Sequence, residues 1–255
     1  MSIYQKELET AVTIAREAGV IMLKYFDGDQ QVEIKQDNTQ VTIADKLANS
    51  LVIERLSKVF PEDGIIGEEE STAQYGMGRK WLCDPIDGTA AYVWGVPTAM
   101  FSLALVVDGK PVVGVAFDPF LNKMYTGIVG EKSLCNGIPL SVSDADLKTV
   151  TVAVSSSVKT FFSRSHLPKM ANDQIRLASL NGAVYKSCLV ARGKFVGYVE
   201  HGVNPHDMAA VHVIVECAGG KLTSLTGEEL NYSQPFKGAI VSNGIVHEEL
   251  VRYCA

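Results

Sequence analysis

The chain has 255 residues, 47% hydrophobic and 20% charged, with a net charge of −6, enough for one large domain or two joined halves around an ordinary apolar core. Its basic residues are scattered, which argues against a nucleic acid or an anionic membrane as partner, although bound cations would still let an acidic cleft take a phosphorylated substrate. Five cysteines without a C-x-x-C pair, and no apolar run near the ~20 residues of a membrane span, predict a reduced, soluble, cytoplasmic protein.

Apolar residues at Leu8, Val12, Ala15, Gly19, Met22 and Phe26 form a helical stripe. Val32 to Lys35 reads as a short strand. Thr42-Ile43-Ala44-Asp45 reads as a capping box with Asp in place of Glu, opening a helix that runs to about Phe60 and stops at Pro61. Ile65-Ile66 and Trp81-Leu82-Cys83 are short apolar runs that end in acidic residues. Phe101 to Val107 and Val112 to Phe117 are β-rich and flank the hairpin signal Asp108-Gly109-Lys110-Pro111, and Lys123 to Ile128 adds a third strand. This first half predicts two helices beside a mostly antiparallel sheet.

Beyond Asn136-Gly137 the rhythm alternates. Val150 to Ser155, Phe195 to Val199, Gly220 to Thr223 and Ala239 to Ser242 read as strands, with helices near 181–192, 207–218 and 245–253. A smaller α/β layer is expected, with a boundary near residue 140.

The chemistry concentrates where apolar runs meet carboxylates. Gly67 leads into Glu68-Glu69-Glu70, and Cys83 into Asp84-Pro85-Ile86-Asp87-Gly88-Thr89. Hard divalent cations take oxygen ligands, and a pair of ions needs several carboxylates in one cleft. A turn restricted by Pro85 can aim Asp84, Asp87 and the Ile86 carbonyl at one point. Gly88 and Thr89 then open a short helix whose free amides suit a phosphate oxygen. Each segment also has a plain reading: D-P-x-D-G as a turn, Glu68 to Glu70 as a solvated loop, and Asp45 and Asp207 as helix-capping acids.

Taken together, Lys35, Thr42 to Asp45, Gly67-Glu68-Glu69, Asp84 to Thr89, Asn136-Gly137, His206-Asp207-Met208-Ala209-Ala210 and Ala218-Gly219-Gly220 resemble the inositol monophosphatase superfamily over nearly the whole chain. The resemblance implies an α+β/α/β layered αβαβα sandwich. Residues 1–140 would carry most metal ligands, and 141–255 would contribute Asp207 and the substrate pocket. It implies a Mg²⁺-dependent phosphomonoesterase using metal-activated water, lithium-sensitive and homodimeric, with two or three Mg²⁺ per site. Glu68, Asp84 and the Ile86 carbonyl would hold the first ion, with Asp84, Asp87 and Asp207 on the second. Glu69 would stand behind them near a third ion. Thr89 and Asp45 would orient and deprotonate the water, with Glu68 counted among the catalytic groups, and the Gly88 and Thr89 amides would hold phosphate oxygens.

This chain has His206 where many members carry Trp, and Ala90 and Ala91 where several carry a polar residue. Both changes bear on the alcohol pocket. His206 and His212 lack the third nitrogen or thiolate that zinc would want. Glu200 stands where inositol phosphatases present a carboxylate to ring hydroxyls, so Glu200 and His206 are the expected substrate contacts. The expected substrate is a small phosphorylated metabolite, first inositol monophosphate. Histidinol phosphate is the alternative, supported by Asp63 to Glu69, Gly219 to Ser224 and Ser242-Asn243-Gly244. Lys186 reads as a surface-helix lysine, leaving no basic pair near Glu200 for the second phosphate of a nucleotide bisphosphate, and a sugar bisphosphate is likewise less expected. A silent metal or sugar-phosphate binder is disfavoured, because no expected ligand is missing.

Overall fold

The computed structural model describes residues 3–36, 38–154 and 166–255. In chain order the elements are α1 (Gln5–Phe26), β1 (Glu33–Ile34), β2 (Gln40–Val41), α2 (Ile43–Val59), β3 (Gly64–Gly67), β4 (Arg79–Asp87) and α3 (Thr89–Val93). They continue with β5 (Met100–Val107), β6 (Lys110–Asp118), β7 (Lys123–Ile128), β8 (Leu134–Cys135), β9 (Ile138–Pro139) and β10 (Val152–Val154). The remainder are α4 (His166–Asn172), β11 (Leu177–Ser179), α5 (Ala183–Ala191), β12 (Gly197–Glu200), α6 (Pro205–Glu216), β13 (Lys221–Thr223), β14 (Ala239–Ser242) and α7 (His247–Cys254).

Strands β3 to β9 form a seven-stranded sheet in sequence order, parallel only between β3 and β4. A second sheet has the order β11-β10-β12-β14-β13, with β10 parallel to both of its neighbours. Helices α1 and α2 cover one face of the first sheet, α5 and α6 lie between the sheets, and α4 and α7 cover the far face of the second. The layers therefore run αβαβα.

Burial explains the layers. On α1 the residues Ala11, Ile14, Ala15, Ala18 and Met22 recur at helical spacing and are buried against the first sheet. Helix α6 is apolar nearly all round, with Met208, Ala209, Ala210, Val211, Val213, Ile214 and Val215 buried, as a middle layer must be. Gly114 of β6 lets it approach, since a Cβ there would collide with the Ala210 carbonyl. One apolar cluster takes Leu82, Met100 and Ala104 from the first sheet and Val184, Tyr198 and Ala210 from the region beyond it. Each fully buried large side chain stabilises by roughly 1.5–3 kcal/mol.

Several expectations change. The strand expected over Val32 to Lys35 shortens to Glu33–Ile34, paired with β2. The Asp84-to-Asp87 segment lies inside β4 as a bulge rather than in a separate turn. The strand expected over Val150 to Ser155 covers Val152–Val154, and Ser155 lies outside the described residues. The pattern missed β2, β8, β9, β11 and α4, all too short to show periodicity. All five cysteines are free; Cys83 and Cys188 are buried and the others half-buried. No helix among the described residues is long and apolar enough to cross a membrane.

Candidate active site

The bulge in β4 makes the site. Asp84 pairs with Ser102 and Asp87 with Met100, so two residues of β4 fall between pairs. Asp84 Oδ1 accepts the Ile86 amide at 3.0 Å, which fixes the kink. Gly88 follows in the left-handed region (φ 88°), where a glycine has no steric penalty, and caps α3. Thr89, first in that helix, donates to the Ile86 carbonyl at 3.1 Å and lies 3.3 Å from Asp45 Oδ1.

Asp45 caps a helix with one oxygen and faces Thr89 with the other. Its Oδ2 accepts from the Thr42 amide (2.8 Å) and hydroxyl (2.6 Å), completing the capping box of α2. Its Oδ1 points at Thr89. Burial pushes its carboxyl up to about 7 against the pull of the Thr42 bonds, and Glu69 and Glu68 add to the rise.

Asp87 is buried at the start of α5, where its two oxygens accept the Ala183 and Val184 amides at 2.9 and 2.8 Å. Asp207 accepts the Asn204 amide at 2.6 Å in the capping box of α6, with Pro205 in the first turn and His206 Nε2 at 3.3 Å. Three separate helix starts thus hold Asp45, Asp87 and Asp207.

Ligand atoms of Asp84, Asp87 and Asp207 lie within 4.8 Å of one another. Burial is the first cause that raises all three carboxyls; Glu68, Asp87 and Asp207 raise Asp84 further, Asp207 helps lift Asp87 to about 7 in spite of its amide bonds, and Glu68 adds to the rise of Asp207 against His206 and the Asn204 amide. Crowded, mainly buried carboxylates are costly without a counter-charge. An oxygen-only donor set of this kind fits a hard divalent cation.

Glu68 and Glu69 stand beside the cluster, held by Lys35 Nζ at 3.0 and 2.6 Å, so they are not a freely solvated loop. Burial works against the Lys35 charge, but the two carboxylates outweigh it and raise its pKa. For Glu69, burial raises the carboxyl while Lys35 opposes the rise.

These groups line a cleft of about 810 Å³ that contains Glu68, Asp84, Ile86, Asp87, Gly88, Thr89, Glu200, His206 and Asp207. Ala90 and the largely exposed Trp94 line it as well, as do Ile34, Asn38, Thr39 and Gln40 around the β1–β2 hairpin. Glu200 ends β12 inside the cleft. Its Oε1 accepts the His201 amide at 2.9 Å, and its Oε2 lies 3.4 Å from the Tyr198 hydroxyl.

Lys186 corrects the sequence reading. It is no surface lysine: its side chain is 3% exposed, and it lines the same cleft, with Nζ 3.4 Å from Glu200 Oε2. The available signal was a single charge in an otherwise uncharged, mostly apolar helix, Ala183 to Ala191. The Lys35 contacts had no such signal, because they span more than thirty residues.

Residues 4–254 match the model described as the inositol monophosphatase family. The chain is 38% identical over 220 residues to a histidinol-phosphatase of Chlorobaculum parvum, covering 84% of each. It is 32% identical over 249 residues to a fructose-1,6-bisphosphatase/inositol-1-monophosphatase of Thermotoga maritima, covering 96% of this chain and 94% of that one. A solved IMPase of Thermotoga maritima aligns with a TM-score of 0.89 at 30% identity, covering 98% of this chain and 97% of the other.

Proposed function

Since the chain belongs to the inositol monophosphatase family, we propose that it is a Mg²⁺-dependent phosphatase that hydrolyses a small phosphorylated alcohol, first of all inositol monophosphate. The observation that carries this is the convergence of Asp84, Asp87 and Asp207 within 4.8 Å at a cleft whose wall bears Glu200.

In this reading Asp84, Asp87 and Asp207, with Glu68 and the Ile86 carbonyl, hold two ions, and Glu69 serves a third. Bound Mg²⁺ supplies Lewis-acid activation of water and neutralises charge on the phosphate oxygens. Thr89 orients the attacking water and passes its proton toward Asp45. The Gly88 and Thr89 amides hold phosphate oxygens, fixing the phosphorus for in-line attack. Glu200 and His206 receive the alcohol. Lithium sensitivity, a homodimer and a cytoplasmic location belong to the same reading, and sedimentation of the purified chain tests the dimer.

A second reading, histidinol phosphate, is supported by the Chlorobaculum relative, a histidinol-phosphatase. Phosphate release from inositol 1-phosphate, histidinol phosphate and fructose 1,6-bisphosphate, with Mg²⁺ and with EDTA, tests both. EDTA should abolish release and Mg²⁺ restore it. Restoration by Zn²⁺ with Mg²⁺ inert would overturn the metal assignment.

A further inference from the structure

We propose that Lys186 is a specificity-determining residue, which with Glu200 forms a donor–acceptor wall that admits a hydroxyl-bearing alcohol and turns away one carrying an ammonium group. The inference rests on the phosphatase reading and deepens it.

Position comes first. Asp87, one of the three clustered carboxylates, caps α5 at Ala183 and Val184. Lys186 follows Ala183 by three residues on that helix, on the order of 5 Å along its axis. An alcohol esterified to a phosphate at the cluster therefore meets Lys186 and Glu200 next, and both line the cleft.

Hydrogen-bonding capacity comes second. An ammonium has three donors, and its bonds to carboxylates are usually 2.7–2.9 Å. Lys186 Nζ has longer contacts, 3.4 Å to Glu200 Oε2 and 3.5 Å to the Val154 carbonyl, and it lies 4.3 Å from the Tyr198 ring centroid. It is buried yet incompletely bonded among the described residues, with donor capacity for a ligand. Glu200 keeps acceptor capacity too, since a carboxylate offers about four lone-pair sites and the Glu200 contacts are with His201, Tyr198 and Lys186.

Burial lowers the Lys186 pKa, while Glu200 and Asp87 act the other way and favour the ammonium. Lys186 offsets the charge of Glu200, so a second ammonium gains little there and is repelled by the first. A hydroxyl both donates and accepts, and neighbouring hydroxyls of a polyol can satisfy Lys186 and Glu200 at once.

The test measures kcat/KM for inositol 1-phosphate, histidinol phosphate and fructose 1,6-bisphosphate with Mg²⁺, in wild type, Lys186→Gln and Lys186→Arg. The wild type should favour inositol 1-phosphate over histidinol phosphate. Lys186→Gln should lower that ratio at least tenfold, as loss of a charge-assisted bond implies, and Lys186→Arg should keep it within a few-fold. A purely structural role would depress all three substrates alike and leave the ratios unchanged, which overturns the proposal. A selective loss on the bisphosphate would overturn it in favour of a second-phosphate contact. A wild type that prefers histidinol phosphate overturns it whether or not Lys186→Gln folds, leaving the phosphatase reading intact. A wild type that releases phosphate from none of the three overturns that reading, and the proposal falls with it.

Discussion

Asp87 Oδ1 accepts the amide of Ala183 at 2.9 Å, a contact between residues 96 positions apart. It ties the bulge of the first sheet to the helix start beside the second. Asp87 thus caps α5 and also stands in the carboxylate cluster. An Asp87→Asn side chain keeps one acceptor and turns an NH₂ group toward an amide. Asp84→Asn removes the same charge, and its carbonyl can still accept from Ile86. In EDTA, Asp87→Asn should therefore be less stable than Asp84→Asn by about 0.5–2 kcal/mol, the range of a lost helix cap. Urea unfolding of both variants reads the difference, and equal midpoints would show that the cap contributes nothing.

Magnesium should stabilise the fold as well as support turnover. Burial raises all three carboxyls and neighbouring carboxylates add to the rise, so the charged cluster lacks a counter-charge, and an ion that binds only the folded chain adds about 2.7 kcal/mol at a hundredfold excess over its Kd. The melting temperature should rise with Mg²⁺ in the wild type and stay level in Asp84→Asn. A full shift in that variant would remove Asp84 from the metal site.

Thr89 touches the Ile86 carbonyl and faces Asp45, outside the three-carboxylate cluster. Thr89→Ala should preserve most of the Mg²⁺-induced thermal shift while kcat falls roughly 10²–10⁴-fold, as for a lost proton-transfer partner. Loss of the shift together with turnover would make Thr89 a metal-site residue instead.

His247 provides a stability test away from the cleft. Its ring nitrogens sit 2.8 Å from the Thr223 and Ser242 hydroxyls. Burial, then the Lys221 charge, lowers its pKa from 6.5 to about 4. Below pH 6.5 the unfolded chain takes up a proton that the folded histidine refuses. Stability is therefore complete above pH 6.5 and falls with pH by up to about 1.4 kcal/mol per unit, levelling near pH 4. Raised carboxyls such as Asp84 have the opposite slope, so the comparison is between wild type and His247→Gln across pH 7 to 4.5. Parallel curves would contradict a neutral buried His247.

The local chemistry was written in the sequence wherever neighbouring residues build it. The stripe from Leu8 to Phe26, the Thr42–Asp45 box, the Asp108–Pro111 hairpin and the D-P-I-D-G-T run all act within a few residues, and each appears in the fold. Their joint order also pointed to the family. Only tertiary structure decided what those residues face. Asp84 to Asp87 became a bulge because β5 pairs on both sides of it. Lys35 found Glu68 and Glu69 more than thirty residues away. Lys186, a charge that looks solvated in one dimension, was carried into the cleft because α5 is buried along Val184, Cys188 and Val190 and must turn its fourth residue toward Glu200. Pairings between distant residues leave no periodic trace in the sequence; they arise when layers stack and bring together side chains that the chain keeps apart.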